Sequence, residues 1–421
     1  YLRADGNYPF TLVNGNLIEK KKRYNSDIES WRTELNFTGD LGKFGTLSMK
    51  GYYFDSHRGL PGSVIFYNDY SGERLWDRNA FAQIHYENHI TEKFTFQAQA
   101  KYNYSWMRHL DVDNKYESGR QDDRYTQKEY YLSISGLYSL ADHLSLAVAE
   151  DYFINSLDNT IPECPFPKRY TSLTALAIQY KDPRLTATTS LLGTYITENV
   201  ERGDRPSDRK RLSPAVSLSW RVLSDHNFRL RASYKDIFYL RIGNTDLKPE
   251  RATQYNVGMT WSGLLPFINY LNVSVDGYYN RVSDKIVAIP TMFIWKMMNM
   301  GEVSIGGIDV NLSTEVPLWK NISLTGQMSY SWQHAIDITD ETEKNYRDQI
   351  PYTPKHSGNF SAALQMPWIN ISYLLTVVGD RYASPQNIER NLIDRYAEQT
   401  VSLNRTFTFG SCSLRLQFDI I

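Results

Sequence analysis

From Phe94 to Tyr104 apolar and polar positions alternate without a miss. Phe94, Phe96, Ala98, Ala100, Tyr102 and Tyr104 fall on one face of an extended chain; Thr95, Gln97, Gln99, Lys101 and Asn103 fall on the other. The period recurs down the chain. Leu414, Leu416, Phe418 and Ile420 oppose Ser413, Arg415, Gln417 and Asp419, and Leu230, Ala232 and Tyr234 oppose Arg229, Arg231, Ser233 and Lys235. Such segments number roughly eighteen. They are expected near 28–38, 45–55, 77–88, 94–106, 128–138, 144–154, 171–180, 185–198 and 212–222. The rest are expected near 228–236, 252–262, 271–282, 304–315, 322–334, 356–366, 369–379, 396–408 and 412–421.

The connections alternate too. Short turns such as 39–45, 140–143, 181–184, 224–227, 316–321 and 409–411 hold Gly, Pro, Asn or Asp, which supply turn dihedrals. Between them lie long polar loops at 56–76, 107–127, 155–170, 199–211, 237–251, 283–303, 335–355 and 380–395. Short connections at one end and long ones at the other are the asymmetry of an antiparallel transmembrane β-barrel with a polar lumen. The apolar set then faces lipid, because Arg or Lys turned outward at mid-bilayer costs about 2–4 kcal/mol. Nothing divides the chain, so residues 1–421 are read as one all-β barrel domain.

Composition sharpens this reading. No stretch approaches the roughly 20 apolar residues of a spanning helix, and mean hydropathy is −0.49. A barrel tolerates that value, because half of each strand is polar. The chain holds 31 tyrosines and 9 tryptophans, residues suited to the membrane interface. A formal net charge of −1 gives no case for nucleic acid. The basic run 20–23 reads as a solvated loop able to touch anionic headgroups. Cys164 and Cys412 are expected at opposite ends of the strands and therefore as free thiols. No export leader opens the chain, and Tyr1–Ala4 reads as the end of a strand. The sequence is therefore expected to be a mature or partial piece.

Residues 242–258, with Asn244, Leu247, Pro249, Glu250, Gln254 and Gly258, resemble a late-loop signature of TonB-dependent outer-membrane receptors. Residues 304–310 resemble a family strand two hairpins on, and 381–387 its late loop. The wording is most similar to Bacteroidetes receptors of the vitamin B12 type. The resemblance implies most of a 22-stranded barrel, with the strands here running from the fourth to the twenty-first and a plug and TonB box outside this chain. It also implies a shortened loop between Phe238 and Tyr239, where the family usually carries a longer segment. Implied with it are a bacterial outer-membrane location, lipid and lipopolysaccharide around the barrel, TonB as energy-transducing partner, a surface lipoprotein and a small-molecule nutrient.

No catalytic constellation is present: no phosphate-binding Gly-rich loop and no nucleophile elbow. His85 and His89 are four apart on a strand, where that spacing does not converge on a metal. Asp111, Asp113 and Glu117 alternate hard oxygen ligands on one loop, and Asp337, Asp340, Glu341 and Glu343 form a second acidic loop. Calcium in extracellular loops is one reading and a solvated acidic loop the other; no cofactor is required. Aromatic and Met-rich loop segments suit a large, partly apolar ligand. The candidate ligand-binding residues are Tyr67, Tyr70, Trp76, Arg241, Phe293, Trp295 and Arg381. The alternative is that they pack on neighbouring loops. The expected function is active import of a scarce bulky nutrient, with a cobalamin-like corrinoid first and haem or a ferric siderophore next. A passive porin or adhesin barrel is the reading from another class.

Overall fold

The computed structural model describes residues 1–421 apart from 15–16, 63–70, 114–115, 162–163, 207, 224–226, 240–249, 291–294, 300, 411 and 421. It resolves two compact units, residues 1–177 with 191–212 and residues 178–190 with 213–421.

Unit 1 begins with β1 (Leu2–Ala4) and a hairpin of β2 (Pro9–Asn14) and β3 (Leu17–Lys22). Long strands follow: β4 (Ile28–Asp40), β5 (Thr46–Leu60), β6 (Glu73–Thr91), β7 (Phe94–Asp111), β8 (Gln121–Ala141) and β9 (Leu144–Asn159). Next come β10 (Lys168–Lys181), β11 (Leu185–Asn199) and β12 (Arg209–Leu223), whose residues the two units share. Unit 2 continues with β13 (Phe228–Tyr239), β14 (Glu250–Leu265), β15 (Ile268–Ser283) and a hairpin of β16 (Ile286–Pro290) and β17 (Trp295–Asn299). Then come β18 (Glu302–Trp319), β19 (Ile322–Asp337), β20 (His356–Gln365) and β21 (Asn370–Val378). Two short strands, β22 (Arg381–Tyr382) and β23 (Leu392–Ile393), precede β24 (Tyr396–Phe409) and β25 (Cys412–Ile420).

The long strands and β1 form one 19-stranded sheet. Every strand expected from the alternation is in it, and β1 is the additional member, paired with β4 through Leu2↔Ser30. Three two-stranded hairpins lie apart from the sheet. They correct three expectations. Residues 283–303 are not only loop, since β16 pairs with β17 there. The late loop carries β22 against β23. Lys20–Lys22 of the basic run lie on β3 rather than in a solvated loop, and Arg23, which follows the strand, is buried, donating to the Gly62 carbonyl.

Register shows what the alternation builds. In unit 1, Phe37, Met49, Ile84, Ala100, Leu132 and Tyr152 pair in turn across six strands, an unbroken apolar row. One residue along, Thr38, Ser48, His85, Gln99, Ser133 and Asp151 pair in the same order, an unbroken polar row on the opposite face. Unit 2 repeats the device. Trp220, Leu230, Met259, Val275, Val310, Tyr330 and Gly358 form the apolar row. Ser219, Arg231, Gly258, Asp276, Asp309, Ser331 and Ser357 form the polar one. The apolar rows are exposed: Phe37 is 61% accessible and Trp220 48%. Apolar rows this wide exceed what a surface in water carries, and a hydrocarbon surround satisfies them.

Gly258 in the second polar row has a specific role. Arg231 reaches past it to the Asp276 carboxylate at 2.8 and 2.9 Å. A Cβ at 258 would stand 2.0 Å from Asp276 Oδ1, so a side chain there would displace the bridge.

Strands run further at their loop ends than the alternation indicates. β8 spans 21 residues, where a tilted membrane-crossing strand needs about 9–11. The surplus Gln121-Asp122-Asp123-Arg124 is polar on both faces, so it lacks a period-2 signal. Among the described residues the buried hydrophobic cluster is small: Ala252, Val282, Val303, Ala335 and Ile350, at the loop end of unit 2.

Candidate functional site

In unit 1 the loop ends are tied by charge. The Arg74 guanidinium meets both Asp27 oxygens at 2.7 and 2.9 Å, and Arg108 meets both Asp122 oxygens at 2.7 and 2.6 Å. Asn25 donates to the carbonyls of Ser71 and Glu73, both at 2.7 Å, which closes the base of the loop after β5. The Arg74 pair holds the Asp27 carboxyl below its ordinary value.

Trp76 lies in this region. It pairs with His57 and Arg108, and the Arg108 guanidinium stands 5.0 Å from its ring centroid. Eight residues of unbroken register separate it from Ile84, so it shares the apolar face and not the polar one. Parity thus places Trp76 on the apolar side of its strand, packed under a cation.

Of the acidic loop, Asp111 is buried and accepts a hydrogen bond from Tyr116 Oη at 2.8 Å. The Asp113 carbonyl accepts from Tyr116 N at 3.2 Å, and Glu117 is exposed. Among the described residues no group of three or more His, Cys, Asp or Glu stands where it could hold a metal ion. The structure therefore does not bring these three carboxylates together as a cage. Cys164 is a free, buried thiol that accepts from Asn159 Nδ2 at 2.8 Å, fastening its own loop.

Unit 2 organises its loop end differently. The segment after β19 turns back: Asp337 N bonds the Asp348 carbonyl at 2.9 Å and Ile350 N bonds the Ala335 carbonyl at 3.1 Å. Ile350 thereby enters the cluster with Val303 and Ala335. The acidic residues of this loop serve the loop itself. Asp337 accepts from Thr339 N and from Asn345 Nδ2, each at 2.9 Å. The Asp340 carboxylate accepts the Thr342 N–H at 2.8 Å and its hydroxyl at 2.7 Å. Those donors hold the Asp340 carboxyl below its ordinary value.

Asn387 then fixes the next loop to this one. Its N–H donates to Asp348 Oδ2 at 3.0 Å and its side-chain amide to the Gln349 carbonyl at 3.1 Å. Tyr352 N bonds the Tyr382 carbonyl at 2.7 Å. Beside Tyr382 stands Arg381, whose guanidinium lies 5.4 Å from the Tyr396 ring centroid. Tyr396 pairs with Val378 and shares the parity of Glu398 and Thr400, which places it on the polar face. Arg381 Nη1 is buried and has no hydrogen-bond partner among the described residues. Tyr396 and the Asp348–Ile350 turn were not singled out from the sequence, and Asn387 entered only as the last residue of the late-loop resemblance. The cue was the company of Arg381: a late loop and a Tyr opening the next strand.

Tyr67, Tyr70, Arg241 and Phe293 lie outside the described residues. Trp295 is placed in β17, paired with Pro290, rather than in an open loop.

The comparisons fit this architecture. The family described as TonB dependent receptor-like, beta-barrel matches residues 6–420. No curated protein matches the chain. Among solved structures, the ferric citrate transporter FecA in its unliganded form has a TM-score of 0.76 at 13% identity, over 96% of this chain and 67% of that one. BauA, the ferric preacinetobactin receptor from Acinetobacter baumannii, has a TM-score of 0.71 at 11% identity, over 96% and 69%. The RagAB peptide transporter has a TM-score of 0.68 at 11% identity, over 94% and 68%. The chain thus spans about two thirds of these proteins, and at such identities the likeness is one of fold. The alternating faces, the antiparallel sheet and the near-complete family match agree: the chain belongs to the TonB-dependent receptor family of β-barrels, proteins of the bacterial outer membrane.

Proposed function

We propose that the protein imports a scarce small molecule across the outer membrane, driven by TonB, and that its ligand is an anionic metal chelate of the ferric citrate or siderophore kind. One observation carries the choice of an anion: the buried Nη1 of Arg381, which has no hydrogen-bond partner among the described residues and is backed by the ring of Tyr396. An unmatched cationic donor is costly in the free protein, and a carboxylate or catecholate oxygen relieves that cost. The loop that carries it is braced through Asn387, so the donor is held in place before a ligand arrives. FecA and BauA, by their descriptions, handle ferric citrate and ferric preacinetobactin, which is consistent with this class. The corrinoid expected from the sequence draws on the aromatic and Met-rich segments 65–76 and 292–298, of which 65–70 and 292–294 lie outside the described residues; the chelate rests on described residues and takes precedence.

The test is equilibrium binding of the intact purified receptor to ferric citrate, a ferric catecholate, haem and cyanocobalamin. One of the chelates should bind tightest, and Arg381→Gln should weaken it by about 10- to 100-fold, as for loss of a charged hydrogen bond. Tighter binding of cyanocobalamin, or a chelate affinity that Arg381→Gln leaves unchanged, sinks the reading.

A further inference from the structure

Unit 1 has a recess among residues outside the candidate ligand site. It opens over Gly193 on β11, between Ser172 and Thr174 of β10 and Leu212 of β12, with Tyr195 and Lys210 at its rim, a shallow hollow of about 610 Å³. Tyr195 and Leu212 are exposed, as are Leu176 and Leu191 nearer the turn between β10 and β11. Two residues of strand separate each neighbour, so these side chains share the apolar face. Gly193 creates the hollow. A Cβ there would meet Leu212 Cδ2 and the Thr174 carbonyl oxygen at 3.7 Å and Thr174 Cβ at 4.0 Å, which is ordinary contact. The space is therefore available to a side chain, and the sequence leaves it empty.

The chemistry of the recess changes along the strands. Toward the turn it is continuous with Leu176 and Leu191, and on β9 Val148 and Tyr152 are exposed too. The hydroxyls of Ser172 and Thr174 are both given to the Glu150 carboxylate. Away from the turn Tyr195 Oη donates to Asp208 Oδ2 at 3.1 Å, and Asp208 is also closed by Thr197 at 2.9 Å and Arg205 at 2.6 Å. Lys210 is left. Its ammonium stands 5.2 Å from the Tyr195 ring centroid and pairs with no carboxylate among the described residues. A lysine over an aromatic ring, where an apolar band gives way to polar groups, is placed to reach a lipid headgroup.

We propose that this recess binds a phosphate-bearing lipid of the surrounding membrane. One acyl chain lies across Gly193 between Leu212 and Thr174, and the phosphate meets Lys210. Two observations favour a lipid: the continuity of the recess with the membrane-facing side chains, and a cation at its polar margin that pairs with no carboxylate among the described residues. Glu150 and Asp208 flank the recess and repel a free anion, so the acyl chain must hold the phosphate in place.

Native mass spectrometry of the intact receptor in detergent tests this, with phosphatidic acid, diacylglycerol and inorganic phosphate as probes. Phosphatidic acid should be retained one per receptor, and diacylglycerol about fivefold less. K210Q should lower phosphatidic acid retention by about fivefold, and G193L should abolish it by filling the floor. Chelate binding at the loop end should stay as in the parent, which separates this site from the uptake site. Equal retention by the parent and both variants overturns the proposal, as does displacement by inorganic phosphate. Should G193L fail to fold, salt dependence decides. Retention must fall with ionic strength in the parent and stay level in K210Q; a level response in both overturns the proposal.

Discussion

The strand bodies and the loop end of unit 2 use the same residue types in opposite ways. Along the strands, Leu132 and Phe360 stand 48% and 41% exposed on the apolar face. At the loop end, Val303 and Ala335 have no exposed surface at all. The first arrangement is stable only where lipid replaces water; the second carries its own interior. Ile350 makes the difference: its loop turns back, pairs with the end of β19 and covers a patch that would otherwise be wet. A receptor of this family thus depends on its membrane for the wall and on local packing for the lip.

That contrast can be broken at four points. The largest effect is expected from Val303→Asp, which buries a charge without a partner and should cost about 3–5 kcal/mol. Loss of protection in hydrogen exchange across residues 335–355, with the strand bodies unchanged, would confirm a self-contained cluster. Next is Leu132→Arg, at about 2–4 kcal/mol in lipid bilayers, set against Ser133→Arg one position on, at under about 0.5 kcal/mol. Refolding into vesicles read by heat-resistant gel migration measures both; equal costs would mean the faces are assigned wrongly. Asn387→Ala should cost about 1 kcal/mol, felt as faster exchange of 379–395 and not as a lower unfolding temperature.

The smallest effect is a pH response. The Arg74 pair lowers the Asp27 carboxyl in the folded state, so its contribution is present above the unfolded value near 3.9 and fades as pH falls through the lower, folded one. Proteolysis of the loop after β5 should therefore be constant from about pH 7 to 5 and rise below about pH 4. Asp27→Asn should show high cleavage throughout; a parent rate that rises already near pH 6 would assign the anchor to a histidine instead.

The wall was legible because period-2 alternation is local and each strand carries its own copy. Gln121–Arg124 was missed as strand because an extension beyond the membrane has two wet faces and no alternation to read. The hairpin of β2 and β3 was missed because Lys20, Lys21 and Lys22 resemble a solvated run, and only the pairing with Pro9–Thr11 makes them strand. Trp76 was singled out by residue type, whereas its face follows from counting in twos from Ile84, which puts it on the apolar parity. Arg381 was found by type, but the unmatched state of its Nη1 among the described residues depends on how loops 338–355 and 379–395 lie together, which no local pattern encodes.

Gly258 carries one more consequence. The Arg231–Asp276 bridge spans two ladders by crossing over a residue with nothing to offer but its backbone. Natural variants of this protein should therefore exchange both charged partners before they exchange the glycine. Even Ala, the mildest replacement, would leave the sheet standing and cut its tie across three strands.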